Sequence, residues 1–557
     1  MDETYFKRNK PALQSVDIHI FINQAGYQPK SIKKAVITKQ ADKFYLVNEL
    51  GIICYEGNIS YFGLDLQSQD QIYIADFSEF EEEGNYRVAI SEDEFSFPFD
   101  IKRRVYHNVL HDTMKAYYYL RCGCELEEAY AGKFTHKKCH HNEAVLWEDK
   151  NKALDVSGGW HDAGDYGRYV TAGACALGHI LYAYQLFPKA LHSLTLNIPK
   201  SNGKLPDILA ECRYELEWLL KMQREDGAVY HKATTALHAP FVMPEEDQEQ
   251  MYVFSVSSMA TADFTAICAL AYRIYKPFDL EFANVLLNAS KTSFEWLMTH
   301  PEFLGFRNPK GTNTGEYGES SDVDNRFWAV AELFAATGEE KYHDCLKEAL
   351  KKRFSFTDLG YFSIGGLGSL AYILCGHSSC DSVILGMLKS SFITRAELLK
   401  KVAEDSGYGV AMLTVQYCWG SNMQLLMNGM TFVLADLFEG GQRFASYAAA
   451  QVHYLLGVNA LGISYVTGTG VYSCNNPHLR PAYADGIEEC MPGMVSGGPN
   501  RHPADEDATI LIPKGTPPMK CFADDVGCYS LNEITIYWNS PAVFLLAYLE
   551  SIELSVD

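Results

Sequence analysis

Seven short runs between residues 17 and 102 are rich in apolar residues, several of them at alternate positions: DIHIFI, KAVIT, FYLVN, GIICY, QIYIADF, YRVAI and FSFPFDI. A period of two places alternate side chains on one face, and β-branched and aromatic residues favour that extended geometry. Gly, Pro, Asn and Asp separate the runs, so the region is expected to fold as a small β-sandwich. From Arg103 the period changes. LPDILAECRYELEWLLKMQ, MATADFTAICALAYRIY, DNRFWAVAELFAATG and TFVLADLFEGGQRFASYAAAQVHYLLG carry apolar residues at helical spacing. Pro206 stands where the first of these helices would begin and Gly338 where another would end. Several are apolar nearly all round and rich in small residues, so they are expected to be covered on more than one side. The chain therefore reads as a small β domain over 17–102 followed by a large helical domain over 103–557. The long Gly-, Pro-, Asn- and Asp-rich loops between the helices are where a site belongs.

Composition narrows the partners. Of the 557 residues, 47% are hydrophobic and 21% charged, which is globular, and the formal net charge of −23 disfavours nucleic acid and anionic membrane surfaces. The opening MDETYFKRNKPALQ holds no apolar run of signal-peptide type, and no stretch is apolar for 18 consecutive residues. Fifteen cysteines without a regular framework suit reduced thiols, so a cytoplasmic location is expected.

Three loops carry chemistry. GGWHDAGDYGRYV at 158–170 sets Asp162 and Asp165 three apart among glycines. Two carboxylates on such a turn can hold one water between them, although a bare DAGD also suits an Asx turn or a calcium loop. LNEITIYWNSPAV at 531–543 puts Glu533 next to an aromatic segment, where desolvation would raise its pKa towards a general acid's range. A base and an acid on distant loops are what glycosidic cleavage requires. His478 and Arg480, in the Gly-rich 455–481 segment, are polar donors suited to sugar hydroxyls, or else loop braces.

Together these stretches resemble glycoside hydrolase family 9. The resemblance is carried by DVSGGWHDAGDYGRYV (155–170), MQREDGAVYHK (222–232), SYVTGTG with NPHLRP (464–481) and SLNEITIYWNSP (530–541), in the family's order. INQAGYQPKSIKKAVI at 22–37 is similar to the start of the immunoglobulin-like module of one branch. The resemblance implies an (α/α)6 barrel of about twelve helices, an inverting mechanism, Asp165 as general base, Asp162 as holder of the attacking water and Glu533 as general acid. It places His478 and Arg480 against the sugar beside the scissile bond. Trp160 suits either a stacking platform or a core anchor for its loop.

The same branch carries a structural zinc near this loop, which implies Cys122, Cys139, His140 and His161 as ligands, with Cys124 as a substitute for Cys122. By spacing alone these are equally ordinary buried cysteines. GEYGESSDVDNRFW at 315–328 resembles the family's calcium segment, with Ser320, Asp322, Asp324 and Asn325 as candidate ligands, although Asn325 stands where many relatives are acidic; a charged helix cap is the alternative. PEEDQEQ at 244–250 reads as a solvated acidic loop.

The expected function is inverting hydrolysis of β-1,4-glucosidic bonds in cello-oligosaccharides or soluble β-glucan. The alternatives are an exo-acting β-glucosidase or exo-β-glucosaminidase on short oligosaccharides, a non-catalytic carbohydrate-binding protein, and a hydrolase that uses zinc directly. The β domain, without an evident stacking surface, is expected to brace the helical one.

Overall fold

The computed structural model describes residues 18–201 and 203–554. The N-terminal segment read above for export, and the first residue of the expected β domain, lie outside them.

All seven predicted runs contain strands. β1 (Ile20–Phe21), β2 (Lys34–Ile37), β3 (Lys43–Asn48), β4 (Ile53–Leu64), β5 (Gln71–Asp76), β6 (Gly84–Ala89) and β7 (Phe99–Ile101) pair antiparallel in the order β1-β2-β5-β4-β3-β6-β7. The long β4 gives its first half to β3 and its second half to β5, with a register shift in each pairing. Alternation buries Phe44, Leu46, Val88, Phe99 and Ile101 in a separate core.

After β7 the chain turns helical at His107, and twelve helices of ten or more residues follow among the described residues. Seven of them touch in a closed circuit. Ile536–Glu553 packs on Val170–Leu186, which packs on Ser258–Tyr275, then Val323–Thr337, Gly365–Leu374, Ser382–Glu404 and Ser421–Glu439, which returns to Ile536–Glu553. Closure explains the all-round apolar helices: Val170–Leu186 and Ser258–Tyr275 have neighbours on both sides and are buried over nearly their whole length. Local signals set the ends. The Ser257 hydroxyl accepts from the Ala260 amide, and Gly338 closes Val323–Thr337 in the left-handed region at φ 68°.

The β domain is tied to the helical one by buried polar contacts. Gln24 donates to the Gly462 and Tyr472 carbonyls at 2.8 and 3.0 Å, Gln28 donates to the Leu549 carbonyl at 2.9 Å, and Asp65 accepts from the Gly407 amide at 2.9 Å. A second, small sheet organises the site. β8 (Ala144–Leu146), β9 (Ala153–Leu154), β10 (Arg168–Tyr169), β11 (Lys232–Thr234) and β12 (Tyr252–Val253) lie in the order β10-β11-β12-β8-β9. The Asp162–Asp165 loop enters β10, and a long loop leaves β11 for β12. No described helix is long and apolar enough to cross a membrane.

Candidate active site

Asp162 and Asp165 sit on the loop ahead of β10, which is closed by an Asp162 amide to Gly167 carbonyl bond of 2.9 Å. Gly164 between them is required by close approach: a Cβ there would come within 2.0 Å of the His478 carbonyl oxygen. The Arg480 amide donates to the Gly164 carbonyl at 3.0 Å, and the Arg480 guanidinium donates to the same oxygen at 2.8 Å. His478 in turn forms a bridge with Glu533, and the Ile536 amide donates to the Asp162 carbonyl at 2.8 Å. Backbone bonds thus draw three stretches far apart in sequence to one place, around a cavity of about 760 Å³.

Asp162, Asp165, Glu533, His478 and Arg480 all line that cavity. So do His238 and Tyr317, which sequence reasoning passed over. His238 Nδ1 lies 2.9 Å from Asp165 Oδ2, and the Tyr317 hydroxyl donates to Asp162 Oδ2 in a short contact. Tyr317 lies inside the stretch read as a calcium segment, and His238 carries no local signal at all.

The three carboxyls are set apart by their surroundings. Burial alone would raise Asp165, but the His238 hydrogen bond and the nearby His238 and Arg480 charges outweigh it, holding this group below the ordinary carboxylate range. Burial raises Glu533 well above that range, and the charges of Asp165 and Asp162 push it further than Arg480 and the Gly164 amide pull it back. Asp162 is raised as well, by burial first and Asp165 second, against the Tyr317 bond. One cavity therefore pairs a carboxyl held below the ordinary range, Asp165, with one held well above it, Glu533.

The two expected sugar donors are more constrained than the sequence suggested. The Nδ1–H of His478 is given to the Val526 carbonyl at 2.6 Å, and burial lowers its pKa to about 4, so the ring is neutral and its other nitrogen is an acceptor. Arg480 spends Nε on the Ala239 carbonyl at 2.7 Å and Nη1 on Gly164, clamping two site loops while it lines the cavity.

Two family models match the chain. The model of glycosyl hydrolase family 9 matches residues 106–546, and that of the cellulase N-terminal ig-like domain matches 16–94. The chain belongs to glycosyl hydrolase family 9. A cellodextrinase of Butyrivibrio fibrisolvens is 44% identical over 545 residues, covering 95% of this chain and 99% of that protein. The structure of a single mutant of a thermostable endoglucanase from Alicyclobacillus acidocaldarius superposes with a TM-score of 0.90 at 34% identity, covering 96% of this chain and 99% of that one. A Zn-binding triple mutant of the family 9 endoglucanase J30 superposes with a TM-score of 0.87 at 33% identity, covering 94% and 99%.

Elsewhere in this family 9 chain, Trp160 is not a cavity residue. It is 1% exposed, its ring lies against Tyr117 at 4.5 Å, and its indole N–H goes to Glu211 at 2.9 Å. It anchors the loop from beneath, and the stacking expectation is withdrawn. Aromatic surface in the cavity comes instead from Trp419 and Phe362, 44% and 50% exposed.

Cys122, Cys139, His140 and His161 do converge, with ligand atoms all within 4.8 Å of one another. Cys122, not Cys124, belongs to the set. His140 Nδ1 and His161 Nε2 are buried without a partner, as metal-directed nitrogens would be.

The expected calcium ligands do not gather in this way. Ser320 is exposed, Asp322 pairs with Arg326 at 2.8 Å, and Asp324 accepts from the Ile364 amide at 2.8 Å. Asn325 donates to Asp263 at 3.0 Å and Glu319 at 3.3 Å. These bonds brace the helix start, although Asp322 at its N-cap makes no side-chain capping bond, and Asp263 at its buried centre was not singled out by sequence.

Proposed function

We propose that this chain is an inverting glycosidase that hydrolyses β-1,4-glucosidic bonds in cello-oligosaccharides and soluble β-glucan. The observation that carries the reading is that Asp165, paired with His238 at 2.9 Å, and Glu533 line one cavity with their pKa values pushed in opposite directions. Glu533 gives its proton to the glycosidic oxygen as the bond to the anomeric carbon breaks. Asp165 takes a proton from a water whose oxygen forms the new bond to that carbon from the opposite face, inverting it. His238 keeps Asp165 ionised and oriented, and Asp162, held by Tyr317, fixes the water. Proton exchange with solvent restores the pair. The substrate class is supported by the relatives, named a cellodextrinase and endoglucanases.

We read residues 103–557 as an (α/α)6 barrel and 17–102 as its immunoglobulin-like companion. The closed circuit and the twelve longer helices support the first reading, and the family match over 16–94 supports the second. We read Cys122, Cys139, His140 and His161 as zinc ligands. Two thiolates and two imidazoles would fill the four positions of a structural zinc, so the metal would supply a strut to the loop rather than chemistry on the substrate.

The test is a time-course on cellopentaose that follows chain length and anomeric configuration together. Short products born in the α configuration are expected. Products born as β anomers would overturn the mechanism, and glucose released one unit at a time would move the assignment to exo action.

A further inference from the structure

The loop between β11 and β12, residues 235–251, forms no helix or strand, yet it bears His238, the partner of Asp165. Nine residues on, Asp247 Oδ2 stands 3.3 Å from His140 Nε2, and both side chains are only 1% exposed. The other oxygen of Asp247 accepts from the Glu249 amide at 3.2 Å, so the carboxylate is fixed from its own loop. His140 keeps a backbone φ of 37°, left-handed for a residue with a Cβ, a conformation that persists only where surrounding contacts impose it. Its Nδ1, the edge away from Asp247, is the buried nitrogen without a partner. A second tie runs alongside. Tyr166, one residue after Asp165, packs on His140 and His161 at 5.3 and 4.9 Å and donates its hydroxyl to the Val242 carbonyl of the same loop.

We propose that Asp247 is a positioning residue that ties the loop bearing His238 to the four-residue metal centre, so that one metal holds both halves of the Asp165–His238 pair. This rests on the zinc reading above. The Asp165 half is held through His161, in the same loop. The His238 half is held through His140 and Asp247. An imidazole that binds metal through Nδ1 carries its proton on Nε2, and a carboxylate at that edge fixes both tautomer and ring orientation. The acidic stretch 244–250, which reads from sequence as a solvated loop, is thus in part a buried strut.

The experiment compares the enzyme as purified with Asp247→Asn and Asp247→Leu. It measures zinc per chain, the rate of zinc transfer to a chromogenic chelator, and kcat and KM on cellotetraose after zinc reloading. Wild type is expected to hold one zinc. Asp247→Leu should release it about 10–100-fold faster. Asp247→Asn, whose amide oxygen can still accept from Nε2, should fall between. In the reloaded variants kcat should drop with the same ranking while KM stays within about twofold, because the sugar contacts remain and only the base's partner drifts. Wild-type protein without zinc would overturn both this inference and the zinc reading. Zinc in the wild type with unchanged release from both variants would overturn the role of Asp247 alone. Should Asp247→Leu fail to fold, the near-isosteric Asp247→Asn carries the same comparison.

Discussion

His238 Nδ1 stands 2.9 Å from Asp165 Oδ2, and the His238 side chain, which lines the cavity, is 38% exposed while that of Asp165 is 9% exposed. A buried carboxylate this close to two others would ordinarily hold a proton. The His238 contact, with Arg480 behind it, makes it the one that stays ionised. The proposed assignment of base and acid rests on that pair.

The pH profile of kcat/KM should therefore be broad. Asp165 must be ionised, so activity is lost as pH falls through a pKa lowered below the carboxylate range. Glu533 must be protonated, so activity is lost as pH rises through a pKa raised well above it. His238→Phe should move the acid limb upward by about 1 unit or more and leave the alkaline limb in place. An unmoved acid limb would show that His238 does not set the charge of Asp165.

Asp165→Ala and Glu533→Gln should each lower kcat on cello-oligosaccharides by about 10²–10⁴-fold with the fold retained by circular dichroism. The two are distinguishable by leaving group. An aryl cellobioside whose phenolate departs without a proton should rescue Glu533→Gln and not Asp165→Ala. Equal rescue of both, or near-normal rates in either, contradicts the assignment.

Tyr317→Phe removes the hydroxyl that donates to Asp162 inside the cavity. Loss of one hydrogen bond to a buried carboxyl costs about 1–3 kcal/mol, so kcat should fall about 10–100-fold. KM should change little, since the loss falls on the group that holds the water. A change confined to KM would make Tyr317 a sugar contact instead.

On the zinc reading, stripping the metal with a chelator should lower Tm by on the order of 5–10 °C, because Cys122, Cys139 with His140, and His161 lie on three separate segments. Reloading with cadmium should restore Tm and return kcat to within about twofold. A large kcat deficit in the cadmium protein would mean that the metal touches the chemistry.

How legible was this in the sequence? The strands and helices were readable because burial of one face imposes a period on the chain, and the ends at Pro206 and Gly338 obey local rules. Asp162, Asp165 and Glu533 were readable because each lies in a motif whose neighbours are part of the device: Gly164 admits the His478 backbone, and Ile536 bonds back to Asp162. Asp247 hid in a stretch of exposed acids, and Trp160 looked like a platform because an indole beside two aspartates suits a sugar as well as it suits a core.

The sequence alone determined which segments would be strands and helices, and it singled out the carboxyls that meet in one cavity. These follow from local periodicity, turn residues and motif spacing. Only the tertiary structure decided which of three neighbouring carboxyls has its pKa lowered, that His238 and Tyr317 contact them, that His478 gives its Nδ1–H to a carbonyl, and that Asp247 reaches His140. Each of these depends on distances between residues far apart in the chain and on the loss of water around them, and closing the helices into a circuit fixes both.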